Sequence, residues 1–231
     1  MRIYCSIAVL CILLVFSTLS GFCQYISHGP VVGGVTDSTA RMYVRTHSVD
    51  SFLLQLSVDG SFTNPRMIPG ETQPNLDNSL IIDLDSLAPI TTYYYRLSFS
   101  NQIDSRQGSF STFPSEGYPS NFTFVTGSCQ ETANMKVYDA MPLHNPDFMI
   151  HTGDFTYPSY QIGSSYPGNW STIEESWRKR YNEVKMREML LDVPLAYMPD
   201  DDDSYGSTFT TDIRQIYARY KIGRASCRER V

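Results

Sequence analysis

Two short apolar runs frame the stretch that most constrains how this chain folds. The first, residues 122–126, ends at Gly127-Ser128-Cys129, and the second, Phe148-Met149-Ile150, ends at Gly153-Asp154. A helical pattern lies between them. Strand, crossover and strand make a βαβ unit, and its right-handed connection sets the two strands parallel with their carboxyl ends on one edge. Ligands of open α/β sheets bind at that edge. Cys129 and Asp154 fall just past the two strand ends, and a thiol converging with a carboxylate points to a metal site.

A third apolar run, residues 193–198, reads as a further strand that delivers Asp200-Asp201-Asp202-Asp203 to the same edge. Residues 158–169, full of Ser, Tyr, Gly and Pro, read as a surface loop beside the site. Residues 171–191 read as a helix with Ile173, Trp177, Tyr181, Val184 and Leu191 near one stripe. Ser171 followed by Glu174 fits a capping box. Arg178-Lys179-Arg180 with Lys185 and Arg187 reads as a solvated helix face, with a phosphate-attracting patch as the alternative.

The preceding part of the chain is all strands and turns. Apolar or alternating runs near Val31, Ala40, Phe52, Leu80 and Thr91 are separated by turn signals at Asp59-Gly60, Pro69-Gly70 and Ala88-Pro89. Several short strands at this spacing predict a small β-sandwich over residues 24–113. In 87–96, a run with three tyrosines, Tyr93 is expected to bond back to the backbone as a corner residue. Cross-strand packing is the expected role of the tyrosines, with a ligand platform as the alternative. Ser, Pro and Gly from 108 to 120 suggest a linker, its core at 114–120.

Both ends carry stretches of another kind. Arg2 followed by an apolar run over residues 7–16, too short to span a bilayer, reads as a secretory signal over 1–23. The mature protein is then expected to be secreted or periplasmic, with no transmembrane segment after cleavage. Residues 221–231 read as one frame of a sequencing adapter, so natural sequence is expected to stop near Tyr220; a genuine basic tail is the alternative. The formal charge of −6 becomes −10 without that tail and Arg2. Such an acidic protein is a poor nucleic-acid binder, because neutralising phosphate takes Lys and Arg. Of the five cysteines, at 5, 11, 23, 129 and 227, only Cys129 clearly belongs to the mature fold. A lone cysteine is either a small buried hydrophobe or a ligand. Asn121-Phe122-Thr123 and Asn169-Trp170-Ser171 match the glycosylation sequon, which matters only in a eukaryotic secretory route.

Gly127-Ser128-Cys129-Gln130, then Gly153-Asp154-Phe155-Thr156-Tyr157, then Pro199 with the four aspartates, resembles the alkaline phosphatase D family of calcineurin-like metallophosphoesterases. The similarity runs from about His28 to Tyr220. It implies a fibronectin type III-like β-sandwich followed by a truncated α/β metallophosphoesterase domain over 121–220, four-layer αββα in the full-length family. It also implies hydrolysis of a phosphate ester by a protein expected to be monomeric. Cys129, Asp154 and Tyr157 would surround Fe(III), with Ca(II) on nearby carboxylates and other divalent metals as alternatives. Asp201 stands where the superfamily has a metal-ligating asparagine, and His151, Asp200 and Asp203 would orient the ligands. Two positions depart from the family pattern: Pro199 replaces tryptophan, and Asp202 replaces the catalytic histidine.

Each signal also has a plainer reading. Gly-Asp pairs are common in turns, Tyr157 could be a packed aromatic, and the aspartates could form a solvated or weakly calcium-binding loop. The chemistry favours the site. Metals offset the charge of a phosphate ester and activate a bound water, and thiolate suits a transition metal whereas oxygen ligands suit calcium. Asp202, anionic at neutral pH, would repel substrate phosphate. Further metal-binding histidines would lie beyond the present end, so this chain is expected to hold an incomplete site. The alternative is a non-catalytic exported binding or surface protein with a degenerate phosphatase-like domain. A purple acid phosphatase has similar modules but lacks the cysteine.

Overall fold

The structure is a computed structural model that describes residues 25–100, 102–130, 135–157, 170–200, 202–204, 220 and 222. The predicted signal and surface loop lie outside the described residues, as do Asp201 and nearly all of 221–231. Seven strands come first: β1 (Ile26–Gly33), β2 (Ala40–Thr46), β3 (Ser51–Ser57), β4 (Arg66–Glu71), β5 (Ser79–Leu84), β6 (Thr92–Phe99) and β7 (Gln102–Ser111). Then follow β8 (Phe124–Gly127), the short helix α1 (Val137–Ala140), β9 (Phe148–His151), α2 (Trp170–Asn182), α3 (Val184–Met189) and β10 (Leu195–Tyr197).

These strands form two sheets. One is antiparallel, in the order β4-β3-β6-β7, and the other is mixed, in the order β5-β2-β1-β10-β9-β8. Gly33 of β1 pairs in parallel with Leu195 of β10, so the sandwich strands and the βαβ strands share one sheet. Side chains alternate across a strand, and β1 and β2 of this sheet are buried on both faces. Val32, Met42 and Val44 enter the core against the four-stranded sheet, whereas Val31 and Tyr43 enter a second core with Trp177, Tyr181, Met186 and Met189 of the helices. Tyr220 and Ile222 pack in that second core too, Ile222 falling in the stretch expected to be foreign.

Tyr93 is the corner residue expected, its hydroxyl accepting a bond from the Ala88 N–H at 2.8 Å. Four other expectations need correction. Pro69-Gly70 is not a turn but lies inside β4, on a sheet edge where a proline costs no ladder bond. Gly108 to Ser111 is the end of β7 rather than linker. The long helix is broken at Glu183, whose extended backbone (ψ 123°) resets the phase. Ile173, Trp177 and Tyr181 are buried as predicted, but past the break Val184 is exposed and Met186, Met189 and Leu190 take its place.

The basic helix face is only partly solvated. Lys179 is exposed, but Arg180 is fully buried and Arg178 donates to Asp77 at 2.7 Å. Asp77 also accepts from Arg45 and from the Tyr220 hydroxyl, tying the sandwich to α2. The serine side chain of the expected Ser171–Glu174 cap lies outside the described residues.

The sandwich is also locked to the turn after α3. The carbonyl of Leu191 accepts from the Tyr95 hydroxyl at 2.7 Å and the Ser109 N–H at 3.1 Å. A Cβ on Gly108 would collide with that carbonyl oxygen. Gly108→Ala is therefore expected to cost about 2–4 kcal/mol of stability, as overpacking against rigid backbone does, read by urea denaturation.

His28 gives the fold a pH dependence. Burial, then the neighbouring Arg45, Arg178 and Arg106, lower its pKa to about 3, with Asp77 opposing weakly. The unfolded chain takes up this proton near pH 6.5 and the folded chain does not, so stability falls as pH drops from 6.5 toward 3. His28→Gln should flatten the acid limb of a stability–pH curve by up to about 1.4 kcal/mol per pH unit.

Candidate metal centre

Strand register levels the three loops that carry the candidate residues. In the parallel β8–β9 and β9–β10 pairs Gly127 aligns with His151, and His151 with Tyr197. The chain leaves all three strands at one edge, as the βαβ reading requires. The first two loops are then bonded to each other, since the Cys129 N–H donates to the Gly153 carbonyl at 3.2 Å and the Gln130 N–H to Asp154 O at 3.1 Å. Cys129 and Asp154 both hold left-handed backbone, φ 56° and 53°. Non-glycine residues adopt it rarely, and at functional sites surrounding contacts hold it in place.

Three predicted side chains meet at Asp154. Its Oδ2 accepts from the Tyr157 hydroxyl at 2.9 Å and lies 3.4 Å from Cys129 Sγ. Its Oδ1 is buried and has no hydrogen-bond partner among the described residues. A buried, unbonded carboxylate oxygen is costly, and a cation beside it would satisfy it. Burial, then the adjoining Asp154 and Cys129, raises the Tyr157 pKa above the usual phenol value. Thiol, carboxylate and phenol form a donor set that fits a transition metal. Among the described residues no three His, Cys, Asp or Glu side chains form a cluster able to hold a metal; the group at Asp154 is one thiol, one carboxylate and one phenol.

The acidic run divides. Asp203 is fully buried and burial raises its pKa, while its carboxylate accepts from Thr156 N–H at 2.7 Å and Asp200 N–H at 3.0 Å. It therefore joins the second loop to the third. Asp200 packs on Gly153, and Asp202 is exposed in the turn Asp202–Ser204. His151 is buried at the end of β9, edge-on to the Phe155 ring at 4.9 Å. Burial and Arg180 lower its pKa to about 4.

Sequence reasoning missed the support beneath the loops. Phe155, fully buried beside Asp154, packs among Trp177, Tyr181 and Tyr197. Buried Arg180 donates to the Phe155 carbonyl at 2.5 Å, to the Gln130 carbonyl, and to Glu183 at 2.7 Å. Gln130 donates in turn to Glu183 at 2.8 Å and accepts from Tyr138. The available signal was helical spacing: Arg180 follows Trp177 by three positions and precedes Tyr181, which puts it on the apolar stripe.

A βαβ edge on a sheet continuous with a β-sandwich is a fold this chain shares with PhoD. The structure of PhoD aligns with TM-score 0.74 over 89% of this chain and 48% of that chain, at 17% identity. Alkaline phosphatase D of Bacillus subtilis (strain 168) is 32% identical over 88 residues, 37% of this chain and 15% of that protein. In sequence and fold the chain is alkaline phosphatase D-like, as the motif resemblance implied, and it spans about half the length of the PhoD chain. The fibronectin type III domain of human contactin 1 aligns over 42% of this chain and 84% of its own, with 15% identity and TM-score 0.32. No family model matches the chain.

Gly153 lets the second and third loops touch. Its φ is 111°, and a Cβ there would lie 2.5 Å from the Asp200 Cβ. Gly153→Ala is expected to cost about 1–3 kcal/mol through this backbone conformation and to displace the Asp200 turn, seen as shifted amide resonances for Asp200 and Asp203.

Proposed function

We propose that this chain is part of an exported phosphoesterase whose metals are held at the β8–β9–β10 edge. One observation carries the reading: Cys129 and Tyr157 converge on one oxygen of Asp154 while the other is buried and unbonded. Similarity to alkaline phosphatase D supports it, as does the fold shared with PhoD. Cys129, Asp154 and Tyr157 would hold ferric iron, and Asp201 with neighbouring carboxylates would hold calcium. The bound metals would offset the negative charge of a phosphate ester and supply an activated water.

The chain's own residues prepare the site. Asp154, reached from two sides, is fixed in orientation before any metal arrives, which lowers the ordering cost of binding. Asp203 holds the third loop against the second from below. Asp202 occupies the outer side, where the family resemblance calls for a histidine beside the phosphoryl oxygens. A carboxylate there opposes substrate phosphate, so the parent protein is proposed to act weakly as written. Export through the signal over 1–23, a monomeric state and the αββα layering of the parent belong to the same proposal. Among the described residues no helix is long and apolar enough to cross a membrane.

Ferric iron bound per chain of the longer parent, measured by elemental analysis after desalting, should fall at least tenfold in Asp154→Asn. In the longer parent, Asp202→His should raise kcat/KM for bis(p-nitrophenyl) phosphate at least tenfold, while the 231-residue chain shows little turnover. Undiminished iron in Asp154→Asn, or metal-independent turnover, would sink the reading.

A further inference from the structure

We propose that Arg180 is the positioning residue of this edge, a buried brace that sets the Cys129 and Asp154 loops relative to each other. The bonding pattern makes the case. The two main-chain carbonyls that Arg180 holds belong to Gln130 and Phe155, each the residue directly after a candidate ligand. The loops approach from different strands, and the guanidinium's planar array of donors spans both at once.

Glu183 completes the brace. The break between α2 and α3 falls at this residue, and its two carboxylate oxygens accept from Arg180 at 2.7 Å and from the Gln130 side chain at 2.8 Å. The carboxylate thus offsets the guanidinium charge and ties the first loop a second time. Buried charge is tolerated where it is paired and hydrogen-bonded, and Arg180 meets both conditions. The brace counteracts a specific tendency: Cys129 and Asp154 hold left-handed backbone that would relax if the following carbonyls were released.

The catalytic consequence rests on the proposed function, but the brace does not, and it is tested without metal. Hydrogen exchange and iodoacetamide labelling of Cys129, followed by peptide mass spectrometry, are run on the unaltered chain, Arg180→Met, Arg180→Lys and Lys179→Met. Lys179 is the control, adjacent in sequence with 46% of its side chain exposed. In Arg180→Met the segments holding the Cys129, Gln130 and Thr156 amides should exchange at least tenfold faster and Cys129 should label at least threefold faster. Segments of β3 and β6 should keep their rates. Arg180→Lys, which reaches fewer acceptors, should fall between, and Lys179→Met should match the unaltered chain. Loops that keep their rates in Arg180→Met overturn the proposal. So does acceleration of the loops together with β3 and β6, which would make Arg180 a general stabiliser. Because no metal enters the measurement, failure of the longer parent to bind iron counts against the proposed function alone.

Discussion

Strands β1 and β2 bury both faces, and this double burial couples the sandwich to the candidate metal edge. Val32, Met42 and Val44 face the four-stranded sheet, while Val31 and Tyr43 face the helices. The Tyr43 ring lies 5.4 Å from that of Tyr181 and 5.6 Å from that of Tyr220. Helix α2, which supports the loops through Arg180, is thus seated on a sandwich strand. Removing the sandwich would strip one wall from the helix core, so these segments are poor candidates for independent modules. The Leu191 carbonyl, held by Tyr95 and Ser109, ties the helical side to β6 and β7 as well.

The sandwich was legible where inward positions are apolar and obscure where they are not. Strands β2, β3 and β6 present apolar residues to the core, and the Asp59-Gly60 and Ala88-Pro89 signals fall between β3 and β6. Strand β7 hides because its inward side chains include Asp104 and Arg106, both buried. Asp104 accepts from the Tyr25 and Ile26 N–H groups at 3.0 Å, and Arg106 donates to Gly29 O at 2.8 Å. These bonds make burial tolerable, but they break the apolar alternation that marks a strand. Strand β4 hides for the opposite reason. It is an edge strand with no buried residue, so nothing in its pattern points inward.

At the edge itself the legible part was what sequence order fixes. Cys129 and Asp154 follow apolar runs, and parallel register carries them to one side. Tyr157, three residues past Asp154, was reached through the family motif and does meet it. What stayed hidden depends on contacts distant in sequence: the guanidinium of Arg180 reaches carbonyls 50 and 25 residues away. In a run of three cations such a residue looks like its neighbours. Only helical phase distinguishes it, and the Glu183 break spoils that phase just beyond.

The four aspartates show why a motif of identical residues should not be read as one feature. Asp203 is buried and accepts bonds from backbone of the second and third loops, whereas Asp202, its neighbour, is exposed. A calcium loop would turn several carboxylates toward one point, and a solvated loop would leave them all in water. Here one carboxylate faces solvent and the next is fully buried, so the run is not uniformly solvated. Asp203 acts as a fixed internal anchor, and the turn it pins presents Asp202 outward. Against the histidine that the motif resemblance implies at 202, aspartate differs in charge and proton-donating ability, while the backbone that carries it is held by its buried neighbour.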